Sequence, residues 1–104
     1  MKTQQQGDVL IRAIDNLPKK LKRKQHPRGA VLAEGEVTGH AHVVIGDGVE
    51  VWEAEDGTIY VSAPRGGELV HEEHHAQYLE PGHYRIGIVR EYDHFAEEAR
   101  NVAD

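Results

Sequence analysis

Apolar residues in this chain come in short runs that alternate with polar residues, and glycine or proline separates one run from the next. Residues 49–53 read Val-Glu-Val-Trp-Glu, the period of two that is typical of a strand with one buried face. Asp56-Gly57 follows as a hairpin signal, since glycine adopts positive φ without strain. The pattern indicates an all-β domain. We predict strands at residues 9–14, 30–33, 36–45, 49–53, 58–62, 68–71, 76–79 and 83–90.

Seven to eight short antiparallel strands predict a small barrel or a sandwich. Helical spacing occurs only near the C-terminus, where Phe95, Ala99 and Val102 form one apolar stripe after the candidate N-cap Asp93. We therefore expect a short helix over 93–104, with a frayed tail as the alternative. The length of 104 residues is typical of one domain, so we expect residues 1–104 to fold as a single unit.

Two side-chain arrangements follow from the strand predictions. Trp52 and Tyr60 flank the Asp56-Gly57 turn, and we expect them to be cross-strand partners. Tyr84, Ile86 and Ile88 alternate along the last strand, so we expect all three to face the core.

Half of the twelve basic residues lie in the segment 18–28, which contains no acid. Pro18 and Pro27 disfavour a helix through it, so we expect an exposed loop between two strands. Residues 29–104 hold four basic and sixteen acidic residues. The loop either offsets this acidic remainder or contacts a polyanion, meaning RNA, DNA or an acidic protein surface. The candidate contact residues are Lys19, Lys20, Lys22, Arg23, Lys24 and Arg28.

The composition excludes several classes of protein. The chain has no cysteine, which excludes disulfide scaffolds, thiol nucleophiles and iron–sulfur centres. No apolar run approaches the ~18 residues that a membrane span needs, and no signal-peptide core follows the first residues. We expect a cytoplasmic protein without a membrane partner. Unpaired strand edges make a homo-oligomer a further expectation.

Eight histidines are the unusual feature of the composition, and five of them fall in two groups. His40 and His42 are two residues apart in the strand predicted at 36–45, so both side chains are expected on one face. The second group lies in the segment 71–75. Three neutral imidazoles plus water form an open zinc site, and imidazole also binds copper, iron and nickel. The candidate ligands are His40, His42, His71, His74 and His75.

Two carboxylates lie within the second histidine group. Glu72 and Glu73 are candidates for a fourth ligand, for a base acting on bound water or for partners that orient a ring. His71, Glu72 and His75 also spell His-Glu-x-x-His, but that motif carries zinc chemistry only on a helix, and this segment is predicted as strand and turn. The alternatives to a metal site are a polar network of structural histidines and a pH-sensing cluster.

Several blocks together resemble a family of small bacterial and phage proteins without an established activity. They are Gly-Glu-Val-Thr-Gly-His-Ala-His at 35–42, His-Glu-Glu-His at 71–74, Pro-Gly-His-Tyr-Arg at 81–85 and Arg-Glu-Tyr at 90–92. The resemblance implies that His40, His42, His71, His74, Arg85 and Tyr92 recur in the family. The His-x-His pair is faintly similar to cupins, which are metal-binding β-barrels, although the glutamate expected shortly after it is absent.

Two functions compete at this point. The first is a small histidine-rich domain that binds zinc or another transition metal, with catalysis left open. The second is a non-enzymatic interaction module in which the basic segment 18–28 contacts RNA, DNA or an acidic protein surface, within a larger assembly, and the histidines are structural.

Overall fold

The computed structural model of the protein describes residues 3–34 and 39–89, and ten strands lie within them. Eight of these strands overlap the eight predicted segments, which confirms the all-β class. β1 and β3 are additional. The strands are β1 (Thr3–Gln6), β2 (Val9–Ile14), β3 (Lys22–Lys24), β4 (Ala30–Glu34), β5 (Ala41–Ile45), β6 (Glu50–Glu53), β7 (Ile59–Ala63), β8 (Gly67–Val70), β9 (Gln77–Leu79) and β10 (Gly82–Ile88).

The strands form two antiparallel sheets that do not close into a barrel. The larger sheet has the order β1-β2-β10-β7-β6-β3, and the smaller has the order β4-β5-β8-β9. The barrel alternative is therefore wrong for the described residues, and ten strands replace the expected seven or eight. The C-terminal helix expected over 93–104 lies outside the described residues. Within those residues no helix is long and apolar enough to cross a membrane.

Two of the predicted turns carry the chain from one sheet to the other. The Gly46-Asp47-Gly48 turn joins β5 to β6, and Pro81 lies between β9 and β10. The Asp56-Gly57 turn instead joins β6 and β7 within the larger sheet. There Trp52 pairs directly with Tyr60, as predicted. Gly57 has a φ of 88°, the left-handed conformation that this hairpin turn requires.

The core lies between the two sheets. The larger sheet contributes Val9, Ile11, Val51, Val61, Ala63, Tyr84 and Ile86, and the smaller contributes Leu32, Val44, Leu69 and Leu79. Tyr84 and Ile86 face this core, as predicted. The prediction was wrong for Ile88, the last residue of β10, which is 43% exposed.

The basic segment 18–28 is not wholly a loop. Lys22, Arg23 and Lys24 form β3, which pairs with β6 and lies at the edge of the larger sheet. All three residues are exposed. The expectation of an exposed connection is correct for the rest of the segment, and positively charged residues on an edge strand discourage uncontrolled pairing with other chains.

Candidate metal centre

Four histidine side chains come together where two connections of the smaller sheet meet the end of β1. His40 immediately precedes β5 and His42 lies within it, while His71 and His74 belong to the connection between β8 and β9. Because β5 and β8 are paired neighbours, the beginning of β5 lies beside the end of β8. Antiparallel pairing thus brings together two groups that are about thirty residues apart in sequence.

His71 is the centre of this histidine cluster. Its ring centroid lies 4.3 Å from that of His42, 4.7 Å from that of His74 and 5.5 Å from that of His40. The His40 ring meets it edge-on, at 89°. Imidazole rings this close together repel one another when protonated, so the cluster favours neutral rings or a bound cation.

His42 is 2% exposed, and its ring orientation is set by Gln6, which is equally buried. The Gln6 amide nitrogen donates hydrogen bonds to the backbone carbonyls of Leu69 and His75, at 3.1 and 2.9 Å. The amide oxygen therefore faces His42 Nδ1, 2.9 Å away, and Nδ1 must be the donor. In the neutral ring Nε2 then carries the lone pair. Gln6 thus fixes both the orientation and the tautomer of His42.

Asp8 approaches the other nitrogen of the same ring. Its Oδ1 lies 3.5 Å from His42 Nε2, too far for a strong charge-assisted hydrogen bond. Burial lowers the pKa of His42 below its ordinary value, and the neighbouring His71 lowers it further, while Asp8 acts in the opposite direction. Burial wins, so His42 is held in the neutral form that a metal ligand or a structural hydrogen-bond partner requires.

Glu72 is the carboxylate that the fold positions most firmly. Its Oε1 accepts the backbone N–H of Ala41 at 2.7 Å, and its Oε2 accepts the Arg28 guanidinium at 2.9 Å. These donors, the Ala41 amide first, lower the pKa of Glu72 to about 2. Such a carboxylate is a weak proton acceptor, which favours a ligand or positioning role over the role of a base.

The His71 ring is oriented by the backbone of its own connection. Its Nδ1 accepts the Glu73 backbone N–H at 3.0 Å, so the neutral ring carries its proton on Nε2. A cation bound at Nδ1 would displace the Glu73 N–H, and one bound at Nε2 would require the ring proton to move to Nδ1. Either way, occupation of the site breaks this hydrogen bond and rearranges the connection.

Three side chains bring ligand atoms within reach of a single ion. One atom each from His40, His71 and Glu72 lies within 4.8 Å of the other two. Ligand atoms on one tetrahedral zinc ion are about 3.3 Å apart, as zinc–nitrogen bonds of about 2.0 to 2.1 Å dictate. The three groups must therefore close by up to about 1.5 Å to coordinate an ion.

A comparison with protein families places this cluster in a wider group. The model of a family described as Domain of unknown function (DUF8820) matches residues 5–89, which is most of the chain and includes the whole histidine cluster. The chain belongs to this family. Neither the curated proteins nor the solved structures give a match. Tyr92 lies outside both the DUF8820 match and the described residues.

The remaining candidate ligands of the DUF8820 domain lie around the cluster. His74 stacks at 6.0 Å from His42 and also contacts Gly7, where an added Cβ would lie 2.5 Å from His74 Nε2. His75 is exposed and joins the network through its backbone carbonyl. The Glu73 carboxylate is largely exposed, with Oε1 at 3.9 Å from His40 Nδ1. His74 is thus the member of the adjacent pair that joins the rings.

The candidate polyanion contacts of the DUF8820 domain divide into two sets. Lys19, Lys20, Lys22, Arg23 and Lys24 are exposed in and before β3. Arg28 instead turns toward the histidine cluster, where its guanidinium binds both the Gly39 carbonyl and Glu72. It ties together the two connections that carry His40 and His71, and it is placed to position the cluster.

Sequence reasoning missed Gln6, Asp8 and the Ala41 amide in this site. A strand residue such as Gln6 gives no local sign that it is buried, because its partners are backbone carbonyls more than sixty residues away. The Gly7-Asp8 turn was visible as a turn, but its position beside the cluster depends on the pairing of β1 with β2. The Glu72–Ala41 contact likewise requires the pairing of β5 with β8.

Proposed function

We propose that the protein binds one divalent transition-metal ion through His40, His71 and Glu72. The supporting observation is the convergence of three ligand atoms within 4.8 Å from two connections that are distant in sequence. With no cysteine in the chain, histidine and carboxylate are the ligand types available for such an ion. Two imidazoles and one carboxylate suit zinc, and also iron, nickel and copper.

The surroundings of these three groups support the proposal. The Ala41 N–H and the Arg28 guanidinium orient Glu72 and leave further lone pairs free on its oxygens. Carboxylates that bind metal ions are commonly hydrogen-bonded by such donors. Three protein ligands leave one position of a tetrahedral ion open for water or a small molecule. Binding, rather than a particular reaction, is the function that this arrangement supports.

Zinc titration of untagged protein tests the proposal. We expect close to one equivalent to bind and to raise the melting temperature, since a ligand that binds only the folded state stabilises it. His40→Gln and Glu72→Gln should each weaken binding by about tenfold or more. The matched controls are His75→Gln and Glu73→Gln, which change the same residue types beside the site and should bind nearly as the wild type does. Less than about a tenth of an equivalent bound, with no thermal shift, would refute the proposal.

The pH dependence of zinc affinity is a second expected result. The pKa of Glu72 is about 2, so this ligand is ionised throughout the range in which the protein can be studied. Histidine ligands must lose a proton to bind a metal ion. We expect zinc affinity to fall as the pH is lowered, approaching about a hundredfold per pH unit once both histidine ligands are protonated.

Titration calorimetry at several pH values measures this dependence. If zinc affinity fell only near pH 4, carboxylates and not histidines would control binding, and this result would contradict the histidine ligands. In Glu72→Gln the affinity should be lower at every pH with the same slope, because the residue removed does not titrate in this range.

A further inference from the structure

The outer face of the larger sheet carries a continuous row of arginine and aromatic side chains. Residues that are directly paired between strands point to the same face of a sheet. The register pairs Arg12 of β2 with Arg85 of β10, Arg85 with Tyr60 of β7, Tyr60 with Trp52 of β6, and Trp52 with Arg23 of β3. The row thus crosses five adjacent strands without a break. We call it the Arg–aromatic row.

The row faces away from the core. The four members on β2, β10, β7 and β6 alternate along their strands with buried residues, such as Ile11 beside Arg12, Ile86 beside Arg85 and Val61 beside Tyr60. Arg23 lies on β3, whose three residues are all exposed. At the usual spacing of about 4.8 Å between strands, the row is about 19 Å long. It lies on a rigid sheet, and its side chains are at least partly exposed.

Two arginines lie side by side at one end of the row. Arg12 and Arg85 are directly opposite each other, an arrangement that is unfavourable for like charges. Neither forms a salt bridge within residues 3–34 and 39–89, whereas Arg23 at the other end lies 3.6 Å from Glu50. An anion between the two guanidinium groups would remove the repulsion, and phosphate is the anion that arginine binds best in bidentate fashion.

The aromatic centre of the row supplies surfaces for planar groups. Trp52 and Tyr60 are adjacent, and the Arg23 guanidinium carbon lies 5.8 Å from the Trp52 ring centroid. Trp52 Nε1 and His83 Nδ1 are buried ring nitrogens without a hydrogen-bond partner in the described part of the chain. Unpaired polar atoms of this kind are rare in native structures and need an explanation.

From this row we infer a binding surface for single-stranded nucleic acid, with backbone phosphate between Arg12 and Arg85 and bases stacked on Tyr60 and Trp52. Stacking platforms flanked by positive charge are the general means by which proteins hold single strands without reading sequence. The row is long enough for the shorter sites of this type, about four nucleotides.

The net charge of −6 does not oppose this assignment, because the charge is unevenly distributed. Two acids lie near members of the row: Glu50 is paired with Arg23, and Arg85 contributes, after the Thr58 backbone N–H, to lowering the pKa of Asp56. A local positive strip on an acidic protein still attracts phosphate at contact distance, where screening is weakest. The acidic remainder repels strands that approach elsewhere and so favours the row.

Fluorescence titration with dT15 and rU15 tests the inference directly. Trp52 is the only tryptophan of the chain, so stacking on it should quench the intrinsic emission. We expect dissociation constants of about 1–100 µM at low salt that weaken as salt rises. The double variant Arg12→Gln, Arg85→Gln should bind about tenfold more weakly with a salt slope smaller by about 1 to 2. Tyr60→Ala should lose about fivefold or more.

The matched controls are Arg65→Gln and Tyr78→Ala, an exposed arginine and an exposed tyrosine away from the row, and both should bind as the wild type does. Equal losses in the controls, or the absence of binding and quenching at low salt, would overturn the inference. Equal affinity for a DNA duplex or for polyglutamate would also overturn it, since either result would indicate a surface that binds any polyanion.

Binding should persist in a metal chelator, which separates this result from the proposed metal binding. The relative affinities of dT15 and rU15 identify the natural strand as DNA or RNA.

Discussion

Replacement of Gln6 by alanine is expected to lower the free energy of unfolding by about 3 kcal/mol. The Gln6 side chain is 2% exposed and bonds to three partners, the carbonyls of Leu69 and His75 and the Nδ1 of His42. Truncation leaves the Leu69 carbonyl and His42 Nδ1 buried without this partner. Each unpaired buried group costs about 1–3 kcal/mol. Denaturant unfolding followed by circular dichroism measures the loss.

Gln4 provides a matched control, because it lies on the same strand, two residues before Gln6. Its amide bonds to Gln77 and to the Tyr78 carbonyl, but these contacts are exposed or only partly buried. Gln4→Ala should therefore cost less than about 1 kcal/mol. Equal losses in the two variants would show that the glutamine run acts through general strand pairing rather than through the buried network.

The Gln6 network also explains how the two sheets are held together beside the histidine cluster. β1 and β9 are edge strands of different sheets, and the main chain does not pair across this gap. The side chains of Gln4, Gln6 and Gln77 bridge it instead. Since the same bridge anchors the connection 71–76, Gln6 serves the fold and the position of the histidines at once.

The strands were the part of the structure that could be predicted from the sequence. Each of the eight predicted segments contains a strand because period-two alternation and glycine turns are local signals. β1 was missed because Thr3–Gln6 has no apolar residue. It is held as a strand by its pairing with β2. β3 was missed for a similar reason, since Lys22–Lys24 is a charged edge strand that pairs only with β6.

Which sheet a strand joins could not be read from local patterns. The Gly46–Gly48 turn looks like a hairpin turn in sequence, but β5 and β6 belong to different sheets. A glycine turn permits a reversal and does not specify which strand will be the neighbour. The choice is made by the core, which is complete only when residues of both sheets face each other.

The candidate site was predicted in its residue types and only partly in its geometry. The sequence indicated that the two histidine groups could meet, and the pairing of β5 with β8 brings them together. β5 begins at Ala41, so His40 lies just before the strand and not within it. His42 is buried against Gln6, and His40 lies beside His71 and Glu72.

The largest expected effect on stability is that of Leu69→Ala, which should cost about 2–5 kcal/mol. Leu69 is fully buried on β8, at the centre of the core between the sheets, and its backbone carbonyl accepts the Gln6 amide. Truncation removes apolar contacts on every side and leaves a cavity that the surrounding strands can fill only in part. The free energy of unfolding of a small domain is about 5–15 kcal/mol in total, so the variant should be close to unfolding at 37 °C.

Ile45 on the neighbouring strand β5 is the control for this prediction. It is a side chain of the same size in the same sheet, but it is 61% exposed, so Ile45→Ala should change stability by no more than about 0.5 kcal/mol. Urea unfolding of both variants gives the comparison. If Leu69→Ala were as stable as Ile45→Ala, the two sheets would not share the core described above. The histidine cluster would lose its support as well, because β8 leads directly into the connection that carries His71 and Glu72.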